Sequence, residues 1–139
     1  MPGQQVEIRI ASSHQGETQV HTARAEMFRK SDTTYYRYRE PDSSAMGNTV
    51  TTVKVGKSEI RIIRHGDVSA EQTFTNNGKH NGFYHTPHTR LSLMTQTTQW
   101  KLAIDEAGYG QASWSYVLWI GDERAGDFKL RLSIREDQG

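Results

Sequence analysis

A chain of 139 residues with 34% hydrophobic content is long enough for one domain with a substantial core, and its aromatic and β-branched residues mark it as globular rather than disordered. Seventeen basic against sixteen acidic residues leave a formal net charge of +1, which provides no field to gather nucleic acid or an anionic membrane. Cysteine is absent, so disulfide frameworks, thiol nucleophiles and thiolate zinc sites are excluded together.

The opening Met1-Pro2-Gly3-Gln4-Gln5 is polar and contains no apolar stretch of signal-peptide length, and no later run approaches a membrane span. A cytoplasmic protein with no membrane partner is expected, as a single domain over 1–139 with polar tails at about 1–4 and 136–139. Turn residues then punctuate the chain at short, fairly even intervals: His14-Gln15-Gly16, Gly56-Lys57, Gly66-Asp67, Asn77-Gly78, Gly108-Tyr109-Gly110 and Gly121-Asp122. Between them strands are expected at 4–13, 17–30, 33–40, 48–56, 58–65, 68–76, 80–86, 89–98, 100–105, 112–120 and 125–135. Thr22 to Lys30 has enough Ala, Glu and Met to suit a helix, but strand is favoured there. The last third is the clearest: Trp114, Tyr116, Leu118 and Ile120, then Phe128, Leu130, Leu132 and Ile134, occupy every second position, as in strands with one face in a core.

Many antiparallel strands joined by short hairpins must protect their edges, and a closed sheet leaves none exposed. The expected fold is therefore all-β, a single up-and-down antiparallel β-barrel. A β-sandwich is the runner-up, since only Pro41 to Gly47 offers a connection long enough for a crossover.

Carrying the alternation through each strand turns some polar residues inward. The parity that buries Ile60 and Ile62 also buries Arg64; Gln72 shares a face with Val68, Ala70 and Phe74; Thr95 and Thr97 follow Leu91 and Leu93; Tyr116 lies between Trp114 and Leu118. An inward guanidinium needs acceptors for five donors, either a carboxylate of the protein, with Glu40 and Glu71 as candidates, or an anionic ligand. Tyr35-Tyr36-Arg37-Tyr38-Arg39 could stack bases, but no basic stripe accompanies it, and a strand with Tyr36 and Tyr38 inside accounts for it. His80, His85 and His88 fall close together without the even spacing of ligands on one strand, so no metal and no cofactor are expected. No nucleophile elbow, phosphate loop or zinc-protease pattern is present; an acid–base pair such as Glu71 with His85 is the only catalytic arrangement to consider.

Thr51-Thr52-Val53-Lys54-Val55, the Ile60 to Gly66 strand ending Arg64-His65-Gly66, Phe74, Tyr84-His85-Thr86-Pro87, Leu91 to Thr97, Gly108 and the Tyr116 strand stand in the order found in one family. In this combination the chain resembles the YwiB-like family of uncharacterised bacterial proteins. The resemblance implies a calycin-like, lipocalin-type β-barrel and no particular activity. The family's recurrent Arg-x-Gly falls on Arg64 and Gly66, its Tyr-x-Thr-Pro on Tyr84, Thr86 and Pro87, and its later Thr on Thr97. Where the family often continues Thr-Pro-Tyr-Gly, this chain has Thr86-Pro87-His88-Thr89, so no aromatic role carries over to position 88.

The leading expectation is a small barrel that binds a small amphipathic or anionic molecule, lined by Arg64, Tyr84, Thr97, Tyr116 and Gln72. The alternatives are an interaction module whose lumen is filled by Trp100, Trp114 and Phe128, with a homodimer through the exposed strand face at Val117 and Trp119, and an acid–base enzyme working at the barrel mouth.

Overall fold

Ten antiparallel strands follow one another around a closed barrel, and β1 closes the ring against β10. In chain order they are β1 (Gln4–His14), β2 (Glu17–Lys30), β3 (Thr33–Arg39), β4 (Thr49–Val55), β5 (Glu59–Gly66), β6 (Ser69–Thr75), β7 (Lys79–His85), β8 (Arg90–Ile104), β9 (Gly110–Ile120) and β10 (Glu123–Glu136). The computed structural model describes residues 3–137; residues 1, 2, 138 and 139 of the expected tails lie outside the described residues. Gln4 and Glu136 are already within strands, so the sheet runs slightly into both expected tails. The Pro41 to Gly47 segment is no Greek-key crossover: β3 and β4 pair directly, and a 3-10 turn at Asp42–Ser44 bridges their ends. Among the described residues no helix is long and apolar enough to cross a membrane.

Burial follows the period of two. In β4, Thr49, Thr51, Val53 and Val55 are buried while Val50, Thr52 and Lys54 are half-exposed. Residues 22–30 lie wholly in β2, with Ala25 and Met27 inside.

One expectation is corrected. Residues 89–98 and 100–105 form a single strand, β8, and the expected break is a β-bulge: Thr97 lies opposite Tyr116 and Gln99 opposite Ser115, which leaves Thr98 as the extra residue. The bulge resets the parity, so that Leu93, Thr95 and Thr97 point inward before it and Trp100, Leu102 and Ile104 pack on the core after it. In an unbulged strand of the same sequence those three would face solvent.

The wall is uneven. Strands β8, β9, β10, β1 and β2 run 11 to 15 residues, whereas β3 to β7 run only 7 or 8. The long strands therefore overhang the short ones. At one end β2 pairs with β1 from Glu17 onward but meets β3 only from Glu26; at the other, β8 pairs with β9 to Ile104 but with β7 only as far as Gln96.

The lower end, which carries the turn at 105–109, is packed. Tyr36, Val53, Ile60 and Phe74 have no exposed surface, and Phe74 sits between Trp114 and Tyr116 with ring centroids 5.1 and 4.9 Å away. Each such side chain contributes about 1.5–3 kcal/mol of apolar burial. The 105–109 turn folds back over this end: the Tyr36 hydroxyl donates to the Gly108 carbonyl at 2.6 Å and the Arg29 guanidinium to that of Glu106 at 2.8 Å.

Candidate functional site

The upper half of the barrel is open. A cavity of about 390 Å³ occupies it, bounded below by the Tyr116 ring, against which Phe74 packs, and above by the β3–β4 connection, whose Ser44 and Met46 reach its rim. A volume of this order suits a small molecule.

Its lining is divided between the two halves of the wall. The long strands contribute apolar side chains: Ile10 from β1, Leu91 and Leu93 from β8, Leu118 and Ile120 from β9, Phe128 and Leu130 from β10. The short strands contribute polar ones: Tyr38 and the adjoining Glu40 from β3, Arg64 from β5, Gln72 from β6 and Tyr84 from β7. The exceptions are Ile62 on the short side and, on the long side, Tyr116 and the polar Ser12, Gln19 and His21 of β1 and β2 toward the rim. The division follows from strand chemistry. Inward positions near the ends of β3 and β5 and in the middle of β6 fall on Tyr38, Arg64 and Gln72, while the alternation of β9 and β10 places Leu, Ile and Phe opposite them.

Arg64 and Glu40 form the charged centre. The Arg64 side chain is 14% exposed and that of Glu40 4%, and the Arg64 Nε lies 3.9 Å from Glu40 Oε2. This is ion-pair range and beyond hydrogen-bond length. The Thr51 hydroxyl donates to the same Glu40 oxygen, so the carboxylate has a donor of its own, while the buried Arg64 Nε has no hydrogen-bond partner among the described residues. The tyrosines respond to this setting. Burial raises the Tyr38 hydroxyl well above its usual range, with the Glu40 charge adding to the effect and Arg64 opposing it. Burial also pushes Tyr116 up to about 12, against the pull of Arg64 and of the Gln72 amide. Both phenols therefore stay protonated at neutral pH and present donors to the cavity.

The 41–47 connection is tied down rather than loose. The Thr49 hydroxyl donates to the Met46 carbonyl at 2.6 Å, the Val68 amide donates to Thr49 Oγ1 at 3.1 Å, and the Asn48 amide donates to Asp67 Oδ2 at 2.9 Å. From β2, His21 Nδ1 lies 3.2 Å from the Ser43 hydroxyl.

Four of the five expected site residues, Arg64, Gln72, Tyr84 and Tyr116, share this cavity. Thr97 does not: it is 2% exposed, lies across the sheet from Tyr116 and falls below the cavity, because the step down β8 from Leu93 to Thr97 carries it into the packed half. Of the two carboxylates proposed for Arg64, Glu40 is the partner; Glu71 lies on the outer face, 3.5 Å from Arg61 Nη1. His85 also faces outward, against Phe83 with ring centroids 4.7 Å apart, so Glu71 and His85 form no pair inside the barrel. His80 is bonded to the Thr75 hydroxyl at 2.8 Å, and no group of His, Asp and Glu side chains among the described residues is arranged to hold a metal ion. Trp100 and Trp114 fill the lower half and leave the upper half free. His21, Ser44 and Met46 escaped the reading from the sequence. Their signal was the length of the Pro41 to Gly47 connection at a barrel rim, where a longer loop can fold over the mouth.

The family described as a domain of unknown function, DUF1934, matches residues 5–132. Among solved structures, the crystal structure of ywiB protein from Bacillus subtilis superposes with a TM-score of 0.74 at 19% identity, covering 97% of this chain and 93% of that one. At that identity the likeness bears on the fold alone. No curated protein matches the chain.

Proposed function

The chain belongs to the DUF1934 family, and for this barrel we propose that the upper cavity binds a small amphipathic anion, a molecule with a planar carboxylate-like head and an apolar body. The observation that carries the reading is Arg64: a guanidinium 14% exposed, lining a largely apolar cavity, with its nearest carboxylate beyond hydrogen-bond length. A planar anion fits the donor fork of arginine, and water exclusion strengthens such a bond. Tyr38, Tyr84, Tyr116 and Gln72 add neutral donors along the same wall, and the Leu, Ile and Phe side chains opposite accept the apolar body.

The barrel is apolar within and polar without: Val6, Ile8, Leu132 and Ile134 are buried, while Arg9, Arg131 and Arg135 are exposed. That is the reverse of a membrane-spanning barrel and supports a soluble one. A chain without cysteine needs no oxidising compartment to fold, which agrees with the cytoplasm.

The test is a fluorescence titration with 8-anilinonaphthalene-1-sulfonate, an aromatic anion of suitable size, with decanoate as competitor. Saturable binding that decanoate displaces and that Arg64→Met abolishes is expected. Absence of saturable binding, or binding indifferent to Arg64, overturns the reading.

A further inference from the structure

The overhang of β2 leaves a strand edge that nothing in the barrel uses. The hairpin turn between β1 and β2 has φ of 53° at Gln15 and 80° at Gly16, the left-handed pair of a two-residue loop, in which the flanking His14 and Glu17 exchange backbone hydrogen bonds. Alternation from Glu17 then directs the backbone groups of the odd-numbered β2 residues to β1 and those of the even-numbered ones away from it. Glu26, Phe28 and Lys30 meet β3. Thr18, Val20, Thr22 and Arg24 lie beyond the point where β3 pairing stops, so their N–H and C=O groups face outward and no strand pairs with them among the described residues.

All four side chains are exposed, and Val20, at 44%, is the exposed large hydrophobic residue among those described. The β3–β4 connection touches this segment through His21 and Ser43, on the cavity side. Long unpaired edges are usually broken by proline, a bulge or an inward charge, and this one has none of these.

We propose that β2 pairs with β2 of a second copy, antiparallel about a two-fold axis at Val20, to form a homodimer with a sheet continuous between the two barrels. The chain matches itself in that register. Antiparallel pairing sets residues with outward backbone groups opposite one another, so Val20 meets Val20 of the second copy and Thr18 meets Thr22. β-Branched cross-strand pairs of this kind favour a sheet. On the other face Gln19 meets His21 and Glu17 meets Ala23, while Arg24 falls opposite Gly16; no like charges face each other. The interface is isologous and closes at two copies rather than growing into a fibre. The face at Val117 and Trp119, half-buried and already paired on both sides by β8 and β10, offers no comparable free backbone.

Sedimentation velocity on the full chain, from low micromolar to near-millimolar concentration, tests the proposal against Val20→Lys, an exposed substitution that places two like charges at the axis. The wild type is expected to sediment as a dimer at the upper end of that range and the variant as a monomer throughout. Amide exchange gives the independent readout: the Val20 and Thr22 amides gain protection as wild-type concentration rises. A wild type monomeric at every concentration, a dimer that Val20→Lys leaves intact, or a dimer in which those amides stay unprotected overturns it.

Discussion

Replacing Arg64 by Met removes the charge from the cavity while keeping much of the side-chain volume. What remains is Glu40, whose side chain is 4% exposed and whose nearest positive charge had been 3.9 Å away. At an effective dielectric constant of about 20, two unit charges at that distance attract by about 4 kcal/mol. Removing one member of a buried pair commonly costs about 3–5 kcal/mol, chiefly because the other is left uncompensated. The Thr51 hydroxyl still donates to Glu40, which places the expected loss near the lower bound, at about 3 kcal/mol. Arg64 is thus structural as well as available to a ligand, and a binding defect in the single variant has two possible causes. Glu40→Gln in the same background separates them. With both charges gone the double variant recovers most of the lost stability, with a coupling of about 2 kcal/mol between the two positions, yet still fails to bind the anilinonaphthalene sulfonate. Urea unfolding followed by tryptophan fluorescence measures the four corners of the cycle. Additive losses, with a coupling below about 0.5 kcal/mol, would refute the claim that Arg64 and Glu40 hold one another inside the barrel.

Tyr36→Phe strands the buried Gly108 carbonyl, which now accepts at 2.6 Å; the expected loss is about 1–3 kcal/mol, with faster amide exchange across the 105–109 turn. Phe74→Ala removes a fully buried ring from between Trp114 and Tyr116. It is expected to cost about 3–5 kcal/mol in urea unfolding and to deepen the cavity floor, so that bulkier sulfonate dyes bind better than to the wild type. Tyr116 ionises near 10 when unfolded and is pushed up to about 12 in the barrel, so the native state holds its proton longer. The stability this represents, about 3 kcal/mol, is fully present below pH 10 and lost as pH rises through about 12. Tyr116→Phe should flatten that part of an alkaline unfolding profile; an unchanged profile contradicts the assignment.

The barrel was legible because its information is local. Alternation along β9 and β10 needs no knowledge of partners, and turn residues such as Gln15-Gly16 and Asn77-Gly78 separate strands that pair in chain order. The same parity turned Arg64, Gln72 and Tyr116 inward. It failed at Thr98, where one inserted residue reverses the face of everything after it within an unbroken strand, and a change of parity in a sequence reads equally well as a turn. Depth along the barrel was also hidden. Thr97 and Gln72 both face inward, but which of them meets the cavity depends on the stagger between strands of unequal length, and that is set by pairings across the sheet rather than by any segment alone. The contribution of Met46 and His21 to the rim lies further still from local pattern, since it depends on how the β3–β4 connection folds back over β2.

The cavity's occupant is the most direct test. Wild-type protein isolated gently from its own host, and the Arg64→Met, Glu40→Gln double variant isolated in the same way, would be weighed by native mass spectrometry before and after denaturation. The account predicts a reproducible extra mass on the wild-type 15.8 kDa chain, released on unfolding, shifting to an acidic amphipathic molecule when identified, and missing from the double variant. A wild-type chain that carries nothing, or the same adduct on both proteins, contradicts it.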